Sequence, residues 1–143
     1  MEQTAIEFKN VTKLYGEGGT KAVDDISFEI KEGEFITVLG SSGSGKTTTL
    51  KMINRLIRED AGHIIFFGED ISGMNEVDLR RKIGYVVQQI GLFPHMTVAQ
   101  NIATVPELLK WDKKEIQARV KELLELVQLD PNVFADRKPK QLS

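Results

Sequence analysis

Nine consecutive residues, Gly40-Ser41-Ser42-Gly43-Ser44-Gly45-Lys46-Thr47-Thr48, bring together the groups a phosphate needs. Glycines at 40, 43 and 45 permit left-handed backbone and remove the Cβ atoms that would stand in the way, so successive N–H groups can converge on one anion. Lys46 offers a mobile point charge to β- and γ-phosphates, and the Thr47 hydroxyl is placed to ligate Mg²⁺. The spacing matches G-x-x-x-x-G-K-[ST]. An ordinary Gly/Ser loop would meet that pattern by chance in about one chain of this length in two hundred.

Such a loop works only between a strand and a helix. Residues 34–39, Glu-Phe-Ile-Thr-Val-Leu, are apolar or β-branched at five of six positions and predict a strand buried on both faces. Downstream, Leu50, Ile53, Leu56 and Ile57 recur at helical spacing, and the positive end of that helix contributes roughly 0.3–2 kcal/mol at the anion. Ahead of the loop, Ile6 and Phe8 alternate with polar residues, as do Ile26, Phe28 and Ile30. This predicts two half-exposed antiparallel strands joined by a turn at residues 16–19. An antiparallel layer in that place departs from a simple doubly wound fold. Tyr15 ends the first of these strands, where its ring could stack on a base or merely cover a sheet edge.

Past the loop, residues 58–62 form a turn cluster, residues 63–68 a strand ended by Gly68, and residues 75–81 a short helix whose arginines read as a solvated face. Residues 82–87 predict a second buried strand, ending on the polar pair Gln88-Gln89, where α/β sheets place ligand-facing groups. Gly91-Leu92-Phe93-Pro94-His95 is a loop that exposes apolar groups. Thr97 caps a helix running to Thr104, Pro106 interrupts it, and a fresh helix ends near Trp111. Asp112 and Glu115 make a capping-box start for a long helix with Ile116, Val120, Leu123, Leu124 and Val127 on one face and a Glu115–Arg119 pair on its surface. Asp130-Pro131 stops it, and the chain is polar and loop-like from Asn132.

A length of 143 residues suits one domain with a real core. A net charge of −2 leaves no basic footprint for nucleic acid. Without cysteine there are no disulfides or thiolate metal sites, and His63 and His95 stand too far apart in sequence, without clustered carboxylates, to suggest a metal centre. The N-terminus has no signal-peptide pattern, and no apolar run approaches the length of a bilayer span.

Taken together, Tyr15, residues 40–48, Gln88, Leu92-Phe93-Pro94-His95-Met96-Thr97-Val98 and the closing Gln141-Leu142-Ser143 resemble the nucleotide-binding subunit of an ABC transporter over essentially the whole chain. Residues 51–57 and 101–111 are similar to importers of quaternary-amine osmoprotectants such as glycine betaine, carnitine or choline. The resemblance implies an α/β P-loop NTPase of the ABC type with an N-terminal antiparallel β layer, a parallel core and a helical subdomain. It implies a core of residues 1–90 and a helical part of residues 91–143.

It further implies ATP and Mg²⁺ as cofactors. Tyr15 stacks on adenine with Val23 as apolar neighbour, Gly40, Ser41, Ser42, Gly43, Ser44, Gly45, Lys46, Thr47 and Thr48 hold the phosphates, and Thr47 with Gln88 contacts the metal. Lys46 and Gln88 are then the catalytic candidates. The implied partners are membrane permease subunits bound through residues 91–143, a second ATP-binding subunit and, indirectly, a solute-binding protein, at the cytoplasmic face of the membrane. In the family Leu-Ser continues into Gly-Gly-Gln, and the Mg²⁺-binding Asp, the catalytic Glu and the switch His lie beyond. The expectation is therefore an incomplete domain that binds nucleotide without efficient hydrolysis, with an uncovered strand 34–39 that favours weak stability or self-association. Two other readings stay open: an ABC-type ATPase without a membrane partner, and an inactive nucleotide-binding fragment.

Overall fold

The computed structural model describes residues 3–16, 18–88 and 91–142. It divides into two compact units, Met1–Gly84 and Tyr85–Ser143.

In the first unit the period-two pattern becomes a hairpin, β1 (Thr4–Tyr15) against β2 (Thr20–Lys31), with Ile6 opposite Ile30 and Phe8 opposite Phe28. Gly16 and Gly19 adopt positive φ, and the Gly19 N–H donates to the Gly16 carbonyl at 3.1 Å; Glu17, predicted in this turn, lies outside the described residues. On the far side of β1, β3 (Ala61–Phe66) pairs antiparallel, with Phe8 opposite Ile64, and the two-residue β4 (Glu69–Asp70) follows. The sheet order is β2-β1-β3-β4. One face of this sheet supplies Phe8, Val11, Val23 and Ile64 to a core closed by Met52, Ile71 and Leu79. Phe8 stacks on Phe28 with ring centroids 4.4 Å apart.

The helix after the glycine loop, α1 (Lys46–Ile53), is shorter than the apolar spacing predicts, and it buries Met52 while Leu50 and Leu56 stay exposed. Its end is fixed from α2 (Glu76–Arg81), which Asn75 caps by accepting from the Val77 and Asp78 N–H groups. Arg80 of α2 donates to the carbonyls of Asn54 at 3.0 Å and Arg55 at 2.7 Å, and Arg58 donates to Glu76. The arginines expected on a solvated face thus include one that ties two helices together, because carbonyls at a helix end lack partners and attract cations.

Two predicted strands do not form. Residues 34–39 lie outside any ladder, with Phe35 93% and Leu39 87% exposed, and residues 82–87 likewise, with Val86 94% exposed. A strand buried on both faces exists only when neighbours pair both its edges and other layers cover it. Among the described residues neither segment has such a neighbour.

In the second unit α3 (Val98–Leu108) begins at a capping box made by Thr97 and Gln100, and its first amides also donate to chain outside it, Val98 N–H to Arg137 O and Ala99 N–H to Ala135 O. Pro106 sits inside α3 and does not split it. It falls in the last turn, where one lost hydrogen bond is offset by closing bonds from Leu109 N–H to Val105 O and Trp111 N–H to Pro106 O. α4 (Lys113–Leu126) starts at the Asp112–Glu115 capping box and packs Val120 and Leu124 against Val98. Val127 is its exposed cap instead of part of the buried face, and Arg119 pairs with Glu122 at 2.8 Å instead of Glu115. The stretch read as loop holds α5 (Pro131–Phe134), capped by Asp130, and a 3₁₀ turn at Pro139–Gln141. Among the described residues no helix is long and apolar enough to cross a membrane.

Candidate phosphate-binding site

The glycine loop curls over the start of α1. Of its three glycines, Gly43 and Gly45 have positive φ, at 82° and 91°, and Gly40 does not. At Gly40 a Cβ would press on the Ser44 hydroxyl, which would have to turn away. Gly45 is needed for space as well as for its positive φ, because its Cβ would collide with the Ala22 carbonyl and lie 3.3 Å from a Val23 methyl. A small cleft of about 140 Å³ opens between Ala22 of β2 and residues 43–48.

Two features prepare that cleft for an anion. Gly45 caps α1 without a side chain, so the first-turn N–H groups stay open until Thr49 N–H reaches Gly45 O at 2.8 Å. The Lys46 ammonium arches back over the loop, donating to Gly40 O at 2.9 Å, Ser41 O at 2.6 Å and Ser44 Oγ at 3.2 Å. A cation held by loop carbonyls beside open amides is a cradle of positive potential. Ser41 and Ser42 are exposed on its rim. Thr49 returns its hydroxyl to Gly45 O, whereas the Thr47 and Thr48 hydroxyls bond to no group among the described residues and remain available to a ligand.

The other predicted residues fall in three places. Val23 is buried at 6% and packs behind Gly45, where it supports the loop. Tyr15 ends β1, exposed at 43%, with the Lys13 ammonium 5.6 Å from its ring centroid. Gln88 lies on an exposed bend of the second unit; Gln89 and Ser143, the partners read beside Gln88 and Leu142, lie outside the described residues. Asp60 was legible only as a turn residue. It joins this end of the sheet by accepting Leu14 N–H at 2.7 Å and Lys13 Nζ at 3.0 Å. The Leu14 bond first, then Lys13, hold its carboxyl below the usual range. The available signal was Lys13 itself, two residues before Tyr15 and so on the same face of the strand.

This loop and its helix lie within a sequence profile described as ABC transporter, which matches residues 23–143. The chain belongs to the ABC transporter family. Among curated ABC relatives, the choline transport ATP-binding protein OpuBA of Bacillus subtilis is 54% identical over 138 residues, which cover 96% of this chain and 36% of OpuBA. The glycine betaine uptake system ATP-binding protein YehX of Escherichia coli is 52% identical, with 96% and 44% covered. The chain therefore spans between about a third and a half of the length of these relatives. Among solved structures, cbiO1 of Clostridium perfringens, part of the ABC transporter complex cbiONQ, superposes with a TM-score of 0.87 at 27% identity, covering 99% of this chain and 57% of that one. The ATP-binding cassette MJ0796, solved as a dimer with ADP and Pi, gives 0.79 at 33% identity, covering 96% and 63%. The chain thus has the fold of part of an ABC cassette.

A family of ATP-binding cassettes implies a nucleotide and Mg²⁺. The loop fits a nucleotide's phosphates: Gly45 leaves no room for a Cβ, three first-turn amides are open, and one lysine spans the rim. For the metal, the chain offers the unbonded Thr47 hydroxyl, and no cluster of His, Cys, Asp or Glu able to hold an ion occurs among the described residues. One oxygen is what a Mg²⁺ that keeps most of its water and takes phosphate oxygens asks of the loop.

Proposed function

We propose that this chain is the phosphate-binding part of a subunit that couples ATP binding and hydrolysis to import of a small solute, a quaternary-amine osmoprotectant, through a membrane permease. The observation that carries the reading is the Lys46 ammonium bridging Gly40 O and Ser41 O above the open start of α1. On ATP binding, Lys46 turns to the β- and γ-phosphates, the amides of residues 46–48 take the phosphate oxygens, and Thr47 and Thr48 add hydroxyls. Tyr15 stacks on the base, Val23 backs the loop and borders the ribose, and Thr47 would supply a hydroxyl to the metal; Gln88 is the second unit's candidate for that role. Mg²⁺ would neutralise developing charge on the phosphates. The choice of solute class leans on the names of two of the relatives, a choline transport and a glycine betaine uptake protein.

For the permease we propose the second unit, at the cytoplasmic face of the membrane. Leu92 and Phe93 are 45% and 46% exposed, yet their loop is held: Phe93 N–H donates to Asn101 Oδ1 at 2.8 Å, and Asn101 Nδ2 donates back to the carbonyls of Phe93 and Thr97. An apolar group presented on a fastened loop suits a docking contact. We further propose head-to-tail pairing with a second such subunit, and indirect linkage to a solute-binding protein.

The reading is tested on the 143-residue chain by ATP titration. Lys46→Ala is expected to raise the Kd for ATP at least about tenfold, since a charge-assisted phosphate bond is worth roughly 1.5–3 kcal/mol. An unchanged Kd would refute phosphate binding by this loop. Turnover is expected at background; a rate that vanishes in Lys46→Ala would refute that part alone.

A further inference from the structure

The groups that hold the Tyr15 ring carry an inference that rests on the nucleotide reading and deepens it. Lys13 and Tyr15 stand two apart on β1 and share a face of the sheet. The Lys13 ammonium lies 5.6 Å from the ring centroid, inside the range at which a cation is drawn to an aromatic face. Its side chain is only 15% exposed, and its ammonium is fastened to Asp60 at 3.0 Å. The same Asp60 oxygen accepts Leu14 N–H at 2.7 Å, while Asp60 N–H donates to Thr12 O at 2.9 Å. Asp60, at the entry to β3, thus grips three consecutive residues of β1 just before the tyrosine. Across the ladder Lys13 faces Val23, which backs Gly45, so the face that bears the ring is also the face behind the phosphate loop.

A tyrosine at the end of a strand beside a glycine turn would otherwise sample several rotamers, and ordering it would subtract from its stacking on a base. A cation anchored over one face removes that freedom and leaves the opposite face as the one a base covers. We propose that Lys13 and Asp60 are positioning residues for the base: Asp60 pins Lys13, Lys13 holds the Tyr15 ring, and the pair sets affinity for the purine without touching the phosphates.

The test compares ATP with inorganic tripolyphosphate, which has no base, by calorimetric titration of the full chain. Tyr15→Ala is expected to raise the Kd for ATP about fivefold or more and to leave tripolyphosphate unchanged. Lys13→Met is expected to raise the Kd for ATP about two- to fivefold, again without effect on tripolyphosphate. Asp60→Asn should move ATP in the same direction by less, and Lys13→Arg, which keeps a cation over the ring, should restore binding. Unaltered tripolyphosphate affinity also reports that the loop of each variant is folded. If Lys13→Met weakens both ligands equally, the lysine serves the phosphates and the inference is overturned. It is also overturned if Tyr15→Ala separates the two ligands and Lys13→Met does not. If Tyr15→Ala itself fails to separate them, base stacking on Tyr15 falls, and this inference with it.

Discussion

Residues 61–66, Ala-Gly-His-Ile-Ile-Phe, and residues 34–39, Glu-Phe-Ile-Thr-Val-Leu, make an instructive pair. The second is the more strongly apolar, yet the first is the strand: Ile64 is 1% exposed as β3, whereas Phe35 stands 93% exposed outside any ladder. What separates them is a partner. β3 can lay its edge along β1, and Gly62 lets the two backbones close up at Asn10, where a Cβ would strike the carbonyl. Residues 34–39 have no described strand to bond to. Apolar content states how much a segment would gain by burial, and only pairing decides whether the gain is realised.

Three substitutions press on that contrast. On the paired side, Phe8 is buried to 1% between β2 and β3 and stacked on Phe28, so Phe8→Ala should cost about 3–5 kcal/mol, read as a lowered urea midpoint or loss of the cooperative transition. A shift under about 1 kcal/mol would mean that the sheet is not the anchor of the first unit. Between the two sides stands a feature that needs no distant partner, the Asp112–Glu115 capping box of α4. Asp112→Ala should cost about 1 kcal/mol and reduce helical ellipticity near 222 nm only slightly. A loss as large as that of Phe8→Ala would contradict the view that this cap acts locally. On the unpaired side, Phe35→Ser should change stability by less than about 0.5 kcal/mol and lower self-association in light scattering. A marked destabilisation would show that Phe35 is buried in solution, and the contrast with β3 would collapse.

The same distinction accounts for what the sequence disclosed. The hairpin was legible because its half-buried faces write a period of two into residues 6–8 and 26–30, and α3 and α4 because Thr97 and Asp112 sit at the start of helical patterns. The glycine loop was legible because its function constrains residue types at fixed spacing over nine positions. Residues 34–39 and 82–87 were misread because two-sided burial is a property of neighbours, which a local run of apolar residues does not contain. Pro106 was misread because its effect depends on distance from the helix end, a boundary that sequence fixes only loosely. Arg80 and Asp60 went unrecognised for a further reason. Each acts on backbone 25 and 46 residues away, where no periodicity points.

The capping of the helices has a consequence beyond their stability. Asn75, Thr97, Asp112 and Asp130 each turn a side-chain oxygen onto the amides of α2, α3, α4 and α5, and α3 is further stoppered by two carbonyls from residues 135–137. Among the described α-helices only α1, entered through Gly45, has no such oxygen of its own. Among the described α-helices, four thus have an amide at their start already taken by the chain's own oxygen, and one does not. A free phosphate meets four α-helix starts partly occupied by side-chain oxygens and, among the described residues, one that is not, so self-occupancy elsewhere adds to the discrimination made by the glycine loop.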